Sequence, residues 1–341
     1  MFQVYGVSVK SAATAEEAVE FRLDEGQLEL QQTVARFCAD RLSFESIAER
    51  ETSALDRAAW SDMAELGVFG LLTPEANGGS GLGVVEATLV FEQLGSHLAP
   101  GPLVWSVTVA GLLEGVASGE TVAVGVFSGD IRDGLTVAHG ASADVCVVVD
   151  ERGVTAHREL VEPTPLTPFD PLTPFASFAA VGPGETIGDA ATALEITRLG
   201  AVFSAASLSG IAERALRVAC DYALERHQFD APIGSFQAIK HLLADMYVRH
   251  GLAQSATYAA AALLDDPGDA DPSLAIATAK LLASDAAIGN ASAAVQVLGG
   301  MGFTWDMLPN YLLKRAWVLE KDFGGADDHA LAIGDTIVGA A

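Results

Sequence analysis

Basic residues are scarce in this chain: 19 Lys and Arg stand against 45 Asp and Glu in 341 residues, a formal net charge of −26. Nucleic acid and anionic membrane surfaces are gripped mainly through Lys and Arg, so this balance argues against both as partners. Cysteine is also sparse. Cys38, Cys146 and Cys220 show no CxxC spacing and leave one thiol over in any pairing, which argues against a disulfide framework or a zinc site and leaves buried thiols. No HExxH, GxSxG or GxxxxGK[ST] pattern occurs, and the seven histidines lack metal-ligand spacing. Gly78 to Gly83 fails the GxGxxG pattern and follows no predicted strand. The first twenty residues hold one Lys and no continuous apolar stretch. They fit neither a secretory signal nor a membrane anchor, and a cytoplasmic location is expected.

What the chain does have is apolar mass, with 50% of residues hydrophobic, enough for a large core and for two or three structural units. Residues 1–22 have little periodicity and read as a flexible extension. From Glu25 to Asp40, Leu28, Leu30, Val34 and Phe37 fall near helical spacing. Leu55 to Leu66 and Val84 to Leu94 continue the helical pattern, each followed by a glycine stop, Gly67 and Gly95. Past Gly119 the pattern changes to short β-branched runs, Thr121 to Phe127 and Val145 to Val149. Six prolines between Glu162 and Pro183 predict a loop or irregular edge. From Ala190 onward Ala and Leu dominate, interrupted at Asp230 to Gly234, Asp265 to Pro272 and Gly299 to Gly302, which predicts three or four long helices. The expected architecture is α+β, mostly α: helices over 23–118, a small middle β domain over 119–190, and a four-helix bundle over 191–341.

Three separated segments, in order, resemble the acyl-CoA dehydrogenase family. Leu66 to Gly83 is similar to its N-terminal signature, in which a helix ends at Gly and a Pro-Glu-x-x-Gly-Gly loop follows. Arg226-His227-Gln228-Phe229-Asp230-Ala231-Pro232-Ile233-Gly234-Ser235-Phe236-Gln237 and Gln296-Val297-Leu298-Gly299-Gly300-Met301-Gly302 resemble its pair of FAD-gripping motifs. The resemblance implies that Arg226, Phe229, Gln237, Gln296, Gly299 and Gly300, with Gln228 beside them, serve the FAD diphosphate and adenosine across a subunit interface. Those residue types suit the role, since guanidinium pairs with phosphate and glycine lets backbone N–H groups come close. Asp230 stands where the family commonly has Gly, which places a carboxylate near a diphosphate.

The resemblance fails in two places. Abstraction of an acyl α-proton needs a base beside the thioester, which in this family is a Glu before Gly-Thr. That slot falls here on Phe323 or Gly324, and the remaining candidates are Asp322 and, on the long helix leading to the arginine motif, Glu195. Nothing resembles the family's Thr-Glu-Pro-x-x-Gly-Ser-Asp flavin seat, and Leu135 to Asp150 matches only the strand pair that follows it. Grip without seat or base implies the shortened subunit of a hetero-oligomer, like the α2β2 acyl-CoA dehydrogenases of actinobacterial steroid degradation. The implied partners are a fuller acyl-CoA dehydrogenase subunit, an acyl-CoA substrate, which the analogy makes a steroid side-chain or ring-derived CoA ester, and electron-transfer flavoprotein or a similar acceptor. Two alternatives stand beside it: a self-sufficient dehydrogenase with a relocated base, and a non-enzymatic oligomerisation or regulatory subunit.

Overall fold

The computed structural model describes residues 23–47, 55–131, 135–268 and 270–339. The extension expected over residues 1–22 lies outside the described residues. Asp24 opens helix α1 (Glu25–Arg41) with a capping box: its carboxylate accepts from the Gln27 N–H at 2.8 Å, and the Gln27 side chain accepts from the Asp24 N–H at 3.1 Å. Two donors that a helix start leaves bare are thereby satisfied. Val34 and Cys38 face inward from α1, whereas Leu28 points to solvent. Helix α2 (Arg57–Glu65) is capped by Asp56 and ends as the sequence suggests, with Gly67 in the left-handed region at φ 86°.

Helix α3 (Val84–Ser96) departs from expectation, because it continues through Gly95 rather than stopping there. The glycine serves packing instead: a Cβ on Gly95 would stand 2.2 Å from the Ser207 carbonyl oxygen of the long helix behind it. Helix α4 (Leu103–Val109) follows, buried throughout.

The middle of the chain forms strands β1 (Ala123–Phe127), β2 (Leu135–Ala138), β3 (Val145–Asp150), β4 (Gly153–His157), β5 (Leu160–Val161), β6 (Thr164–Leu166), β7 (Phe175–Phe178), β8 (Ala180–Val181) and β9 (Gly184–Asp189). Order β1-β3-β4-β9 makes the larger sheet, with β1 and β3 parallel and the rest antiparallel. The segment 135–150 is not a strand pair: β2 joins β7 and β6 in a separate sheet. Pro165 sits on β6, the edge of that sheet, where a missing N–H costs no ladder bond. Side chains alternate as a pleat requires. Val124, Val126 and Cys146 pack against Leu135, Val137, Ala176 and Phe178 of the second sheet, while Val145, Val147 and Val149 turn to the helices.

Asp189 caps helix α5 (Ala190–Glu225), which leads through the two-residue ribbon β10 (His227–Gln228) and β11 (Ala231–Pro232) to α6 (Gln237–Asp265), α7 (Ser273–Leu298), α8 (Leu308–Lys321) and α9 (Ala326–Gly339). Every residue from Leu199 to Ala212 is buried, because α5 is wrapped by α3, α6, α7 and α8; a helix apolar on all sides is a core helix. The segment Ser273–Phe303 is long and apolar enough to cross a membrane by length and composition, yet α7 packs among α5, α6, α8 and α9. Cys38 and Cys146 are buried, Cys220 is partly so, and burial pushes the first two thiols up to about 12.

The tightest crossing is α3 on α5. A Cβ on Gly210 would stand 1.9 Å from the Glu92 carbonyl oxygen, and Phe91 stacks on Phe203 with centroids 4.7 Å apart. Gly210→Ala should therefore lower the thermal unfolding midpoint, with a destabilisation of about 1–3 kcal/mol typical of overpacked cores. Gly251→Ala has open space for its methyl group. In the same calorimetric scan it should hold or raise the midpoint, since Ala is the better helix former by about 0.5–1 kcal/mol.

Candidate functional site

Helix α5 ends at Arg226, whose carbonyl accepts from the Ile233 N–H at 2.8 Å and closes a short ribbon with His227 opposite Pro232 and Gln228 opposite Ala231. The two residues at its tip, Phe229 and Asp230, both adopt left-handed backbone, at φ 53° and 60°. A two-residue hairpin of this kind needs such angles and favours Gly, Asn or Asp, which explains how Asp230 occupies a glycine position. Phe229 is held outward with 90% of its surface exposed, touching Phe236 edge-on at 6.2 Å. Arg226, Gln228 and Gln237 are exposed beside it, and Gln237 begins α6. The hairpin thus brings Arg226, Gln228, Phe229 and Gln237 into one cluster.

Gln296, Gly299 and Gly300 form a second exposed station at the end of α7. Gly299 has φ 65°, and nothing stands within 4 Å of where a Cβ would be on either glycine. No hydrogen bond joins the two stations among the described residues. The donor set fits a flavin nucleotide: a guanidinium, carboxamides, an aromatic face and bare backbone, all unshielded by this chain.

The segment between α8 and α9 is different, because it is turned inward. Phe323 has a left-handed backbone at φ 55° and is 3% exposed. Its ring lies on Gly200 of α5, where a Cβ would come within 2.1 Å of it, and against Trp105 at a centroid distance of 4.4 Å. Lys280, fully buried on α7, holds this segment by donating to the carbonyls of Leu319 at 3.2 Å, Glu320 at 2.9 Å and Gly324 at 2.9 Å. Burial pulls that ammonium down to about 8. From the sequence, Glu320, Asp322, Asp327 and Asp328 read as solvated helix-end charges, but two of them are tied to the chain. Glu320, 8% exposed, accepts from the Ala326 N–H at 2.7 Å, and Asp328 accepts from the Gly325 N–H at 2.9 Å, so both cap α9.

Asp322 borders a cavity of about 250 Å³ between α3, α4, β1 and the end of α8. Desolvation raises its carboxyl to about 6, opposed by the Lys280 charge and a hydrogen bond from the Trp105 side chain. Glu195 is on the exposed side of α5 and does not border the cavity. Arg315 does, but it is spent on structure: it is paired to the buried Asp170 and donates to the carbonyls of Ala99 at 3.1 Å and Leu172 at 3.0 Å. One side chain thereby fastens the proline-rich segment to α8 and to the end of α3's loop.

Family models match in two places: the acyl-CoA dehydrogenase N-terminal domain over residues 24–119 and the acyl-CoA dehydrogenase C-terminal domain over residues 187–334. Acyl-CoA dehydrogenase IpdE2 of Mycolicibacterium smegmatis is 31% identical over 84% of this chain and 91% of its own. The chain belongs to the acyl-CoA dehydrogenase family. FadE34 of Mycobacterium tuberculosis is also 31% identical, over 79% of this chain, which spans 40% of FadE34's length. Among solved structures, the ChsE4–ChsE5 complex from Mycobacterium tuberculosis superposes with a TM-score of 0.81 at 26% identity, covering 94% of this chain and 99% of that one.

For an acyl-CoA dehydrogenase chain, the sequence reading missed Lys280, Trp105 and the Arg315–Asp170 pair. Lys280 did leave a signal, since it is the one Lys or Arg in the apolar run from Ser273 to Leu298. The pairing of Arg315 with Asp170, 145 residues apart, left none.

Because the folded protein holds Asp322 near 6 against an ordinary 3.8, it binds more protons there than the unfolded chain between those values, and stability falls as pH rises through that window. Asp322→Asn lacks this term. Its urea midpoint should gain on wild type between about pH 4 and pH 6.5, by on the order of 2 kcal/mol at about 1.4 kcal/mol per pKa unit. A constant difference across that range would show that the carboxyl is not desolvated.

Proposed function

We propose that this chain is a subunit of an FAD-dependent acyl-CoA dehydrogenase and lends its surface residues to a flavin held mainly by a fuller partner subunit. One observation carries the reading: every residue of the grip is exposed on this chain's surface, while Phe323, one of the two residues that fall in the slot of the family's base, is buried. Phe229, 90% exposed, presents its ring to what lies outside its own subunit.

FAD, when bound, would supply the two-electron acceptor for dehydrogenation next to the thioester. The chain's own part is binding and orientation. Arg226 would meet the diphosphate with its guanidinium, and Phe229 would lie against the adenosine, with Gln228 and Gln237 adding hydrogen bonds. Gln296 would reach from the second station, and the bare backbone at Gly299 and Gly300 would donate N–H groups at close range. Neither Phe323 nor Gly324 can take an acyl α-proton, so the base belongs to the partner. Division into helical segments over 23–118 and 191–341 around a reduced middle domain at 119–190 suits this role.

An α2β2 assembly fits the reading, as does the two-component make-up of ChsE4–ChsE5. The resemblance to two-component steroid-degrading relatives suggests a bulky, steroid-derived acyl-CoA as the substrate class and an electron-transfer flavoprotein or similar protein as acceptor; a further neighbour of like fold is described as the Tcur3481–Tcur3483 steroid acyl-CoA dehydrogenase. Arg226→Ala in the purified assembly should lower flavin content, read from visible absorbance against protein mass, while the chains still co-purify. Unchanged flavin would remove Arg226 from the site.

A second reading has one observation in its favour, the carboxyl of Asp322 at the cavity wall: a self-sufficient dehydrogenase with a relocated base. The two separate in one experiment. With the base on the partner, Asp322→Asn keeps most of the turnover. With Asp322 as base, turnover falls by about three orders of magnitude or more with FAD still bound.

A further inference from the structure

Asp230 stands where the acyl-CoA dehydrogenase family commonly has Gly, and its charge calls for a partner. It shares the hairpin tip with Phe229, beyond the paired residues Gln228 and Ala231, and both tip residues are exposed with left-handed backbone. Turn chemistry accounts for the backbone, since Gly, Asn and Asp all suit such a position. It leaves the carboxylate unexplained.

The polar groups of the hairpin divide into spent and unspent. Gln228 donates from its amide to the His227 carbonyl at 2.8 Å, and a ring nitrogen of His227 lies 3.0 Å from the Glu225 carbonyl. Among the described residues, neither the Arg226 guanidinium nor the Asp230 carboxylate has a hydrogen bond or ion pair, and the two do not pair with each other although they flank one turn. An ionised carboxylate only accepts, so whatever meets Asp230 must bring donors. With Arg226 on a diphosphate and Phe229 on an adenosine, what lies at the next residue along, about 3.8 Å away at its Cα, is the nucleotide between them. The diphosphate offers acceptors alone and repels a carboxylate. The sugar that joins it to the base offers two neighbouring hydroxyls, and an acidic residue accepts from a ribose hydroxyl in the unrelated dinucleotide-binding folds as well.

We infer, resting on the reading of this hairpin as a flavin grip, that Asp230 is a specificity-determining residue: its carboxylate accepts from the 2′,3′-diol of the FAD adenosine and selects an ADP end whose ribose is free. An acyl-CoA dehydrogenase handles two molecules with an ADP end, and the adenosine of CoA carries a 3′-phosphate. Facing that phosphate, Asp230 loses a donor and gains a repulsion, so the station holds FAD and turns CoA away. A glycine at the tip has no side chain with which to make that distinction.

Flavin release from the purified assembly, followed by fluorescence on dilution, tests the assignment. Asn and Gly both accept left-handed backbone, so Asp230→Asn and Asp230→Gly keep the hairpin while removing the charge. Both should bind FAD about tenfold more weakly, whereas a carboxylate that merely faced the diphosphate would make both bind more tightly when removed. Wild-type protein supplies a second readout that needs no variant. In competition with FAD rebinding, ADP should be at least about tenfold more effective than 2′,3′-dideoxy-ADP or 3′-phospho-ADP, and Asp230→Gly should narrow both gaps. FAD affinity at or above wild type in the two variants, or dideoxy-ADP competing as well as ADP, overturns the inference. Arg226→Ala separates it from the reading beneath: flavin lost there but unchanged in Asp230→Asn removes the ribose contact alone, while flavin unchanged in both removes the grip as well.

Discussion

Bare backbone on α5 governs how closely the rest of the molecule can assemble. Three contacts along it leave no room for a side chain: Gly200 beneath the Phe323 ring, Ser207 against Gly95 of α3, and Gly210 against the Glu92 carbonyl. Each brings a different part of the structure to the same helix. The α3 contacts set the spacing of the N-terminal helices, and the Gly200 contact seats the α8–α9 segment and hence the position of Asp322 beside the cavity. Dense packing transmits any displacement at these points, since interiors leave little free volume to absorb it. The cavity is therefore a consequence of where α5 lacks side chains as much as of the residues that line it.

An acidic chain must also place a few buried charges, and each is hydrogen-bonded locally. Glu92, 3% exposed, accepts from Tyr258 at 2.6 Å, Gln254 at 2.7 Å, Ser209 at 3.3 Å and Gln31 at 3.4 Å, so four donors from α1, α5 and α6 converge on one carboxylate of α3. Arg315 and Asp170 satisfy each other inside, and removing either partner would strand a buried charge at a cost of about 3–5 kcal/mol. Lys280 differs in spending its donors on carbonyls at a helix end, where the helix dipole favours a cation. Such groups are poor sources of net stability, but they define one geometry, because a slipped helix would leave them unpaired.

Local signals in the sequence were legible where the physics is local. Gly67 stops its helix, Asp24 and Asp56 cap theirs, the prolines between 162 and 183 keep to loops and an edge strand, and the break at 230–234 is a hairpin with left-handed residues at its tip. Readings failed where a residue answers to a neighbour distant in sequence. Gly95 looks like a helix stop and is a packing contact with residue 207. Segment 135–150 looks like a strand pair and splits between two sheets. Asp322 looks like a solvated helix-end charge, because nothing near it in sequence reveals that Trp105 and Lys280 enclose it. The helix breaks predicted at 230–234 and 299–302 are where the two surface stations lie, since their conformations are set by Gly, Pro and turn chemistry within a dozen residues.

These two kinds of residue separate the outward and inward halves of the molecule's chemistry. A residue held outward on a hairpin tip or beside bare glycine backbone needs no help from the core, so its motif reads as a compact string. A residue intended for the chain's own interior is specified by long-range packing and leaves a scattered trace. The compact strings lie exposed, while the segment between α8 and α9 closes on an aromatic triangle of Trp105, Phe127 and Phe323 drawn from three distant parts of the chain. Phe323 shows the second kind: its ring fills the space over Gly200, where an unpaired carboxylate would be costly to bury.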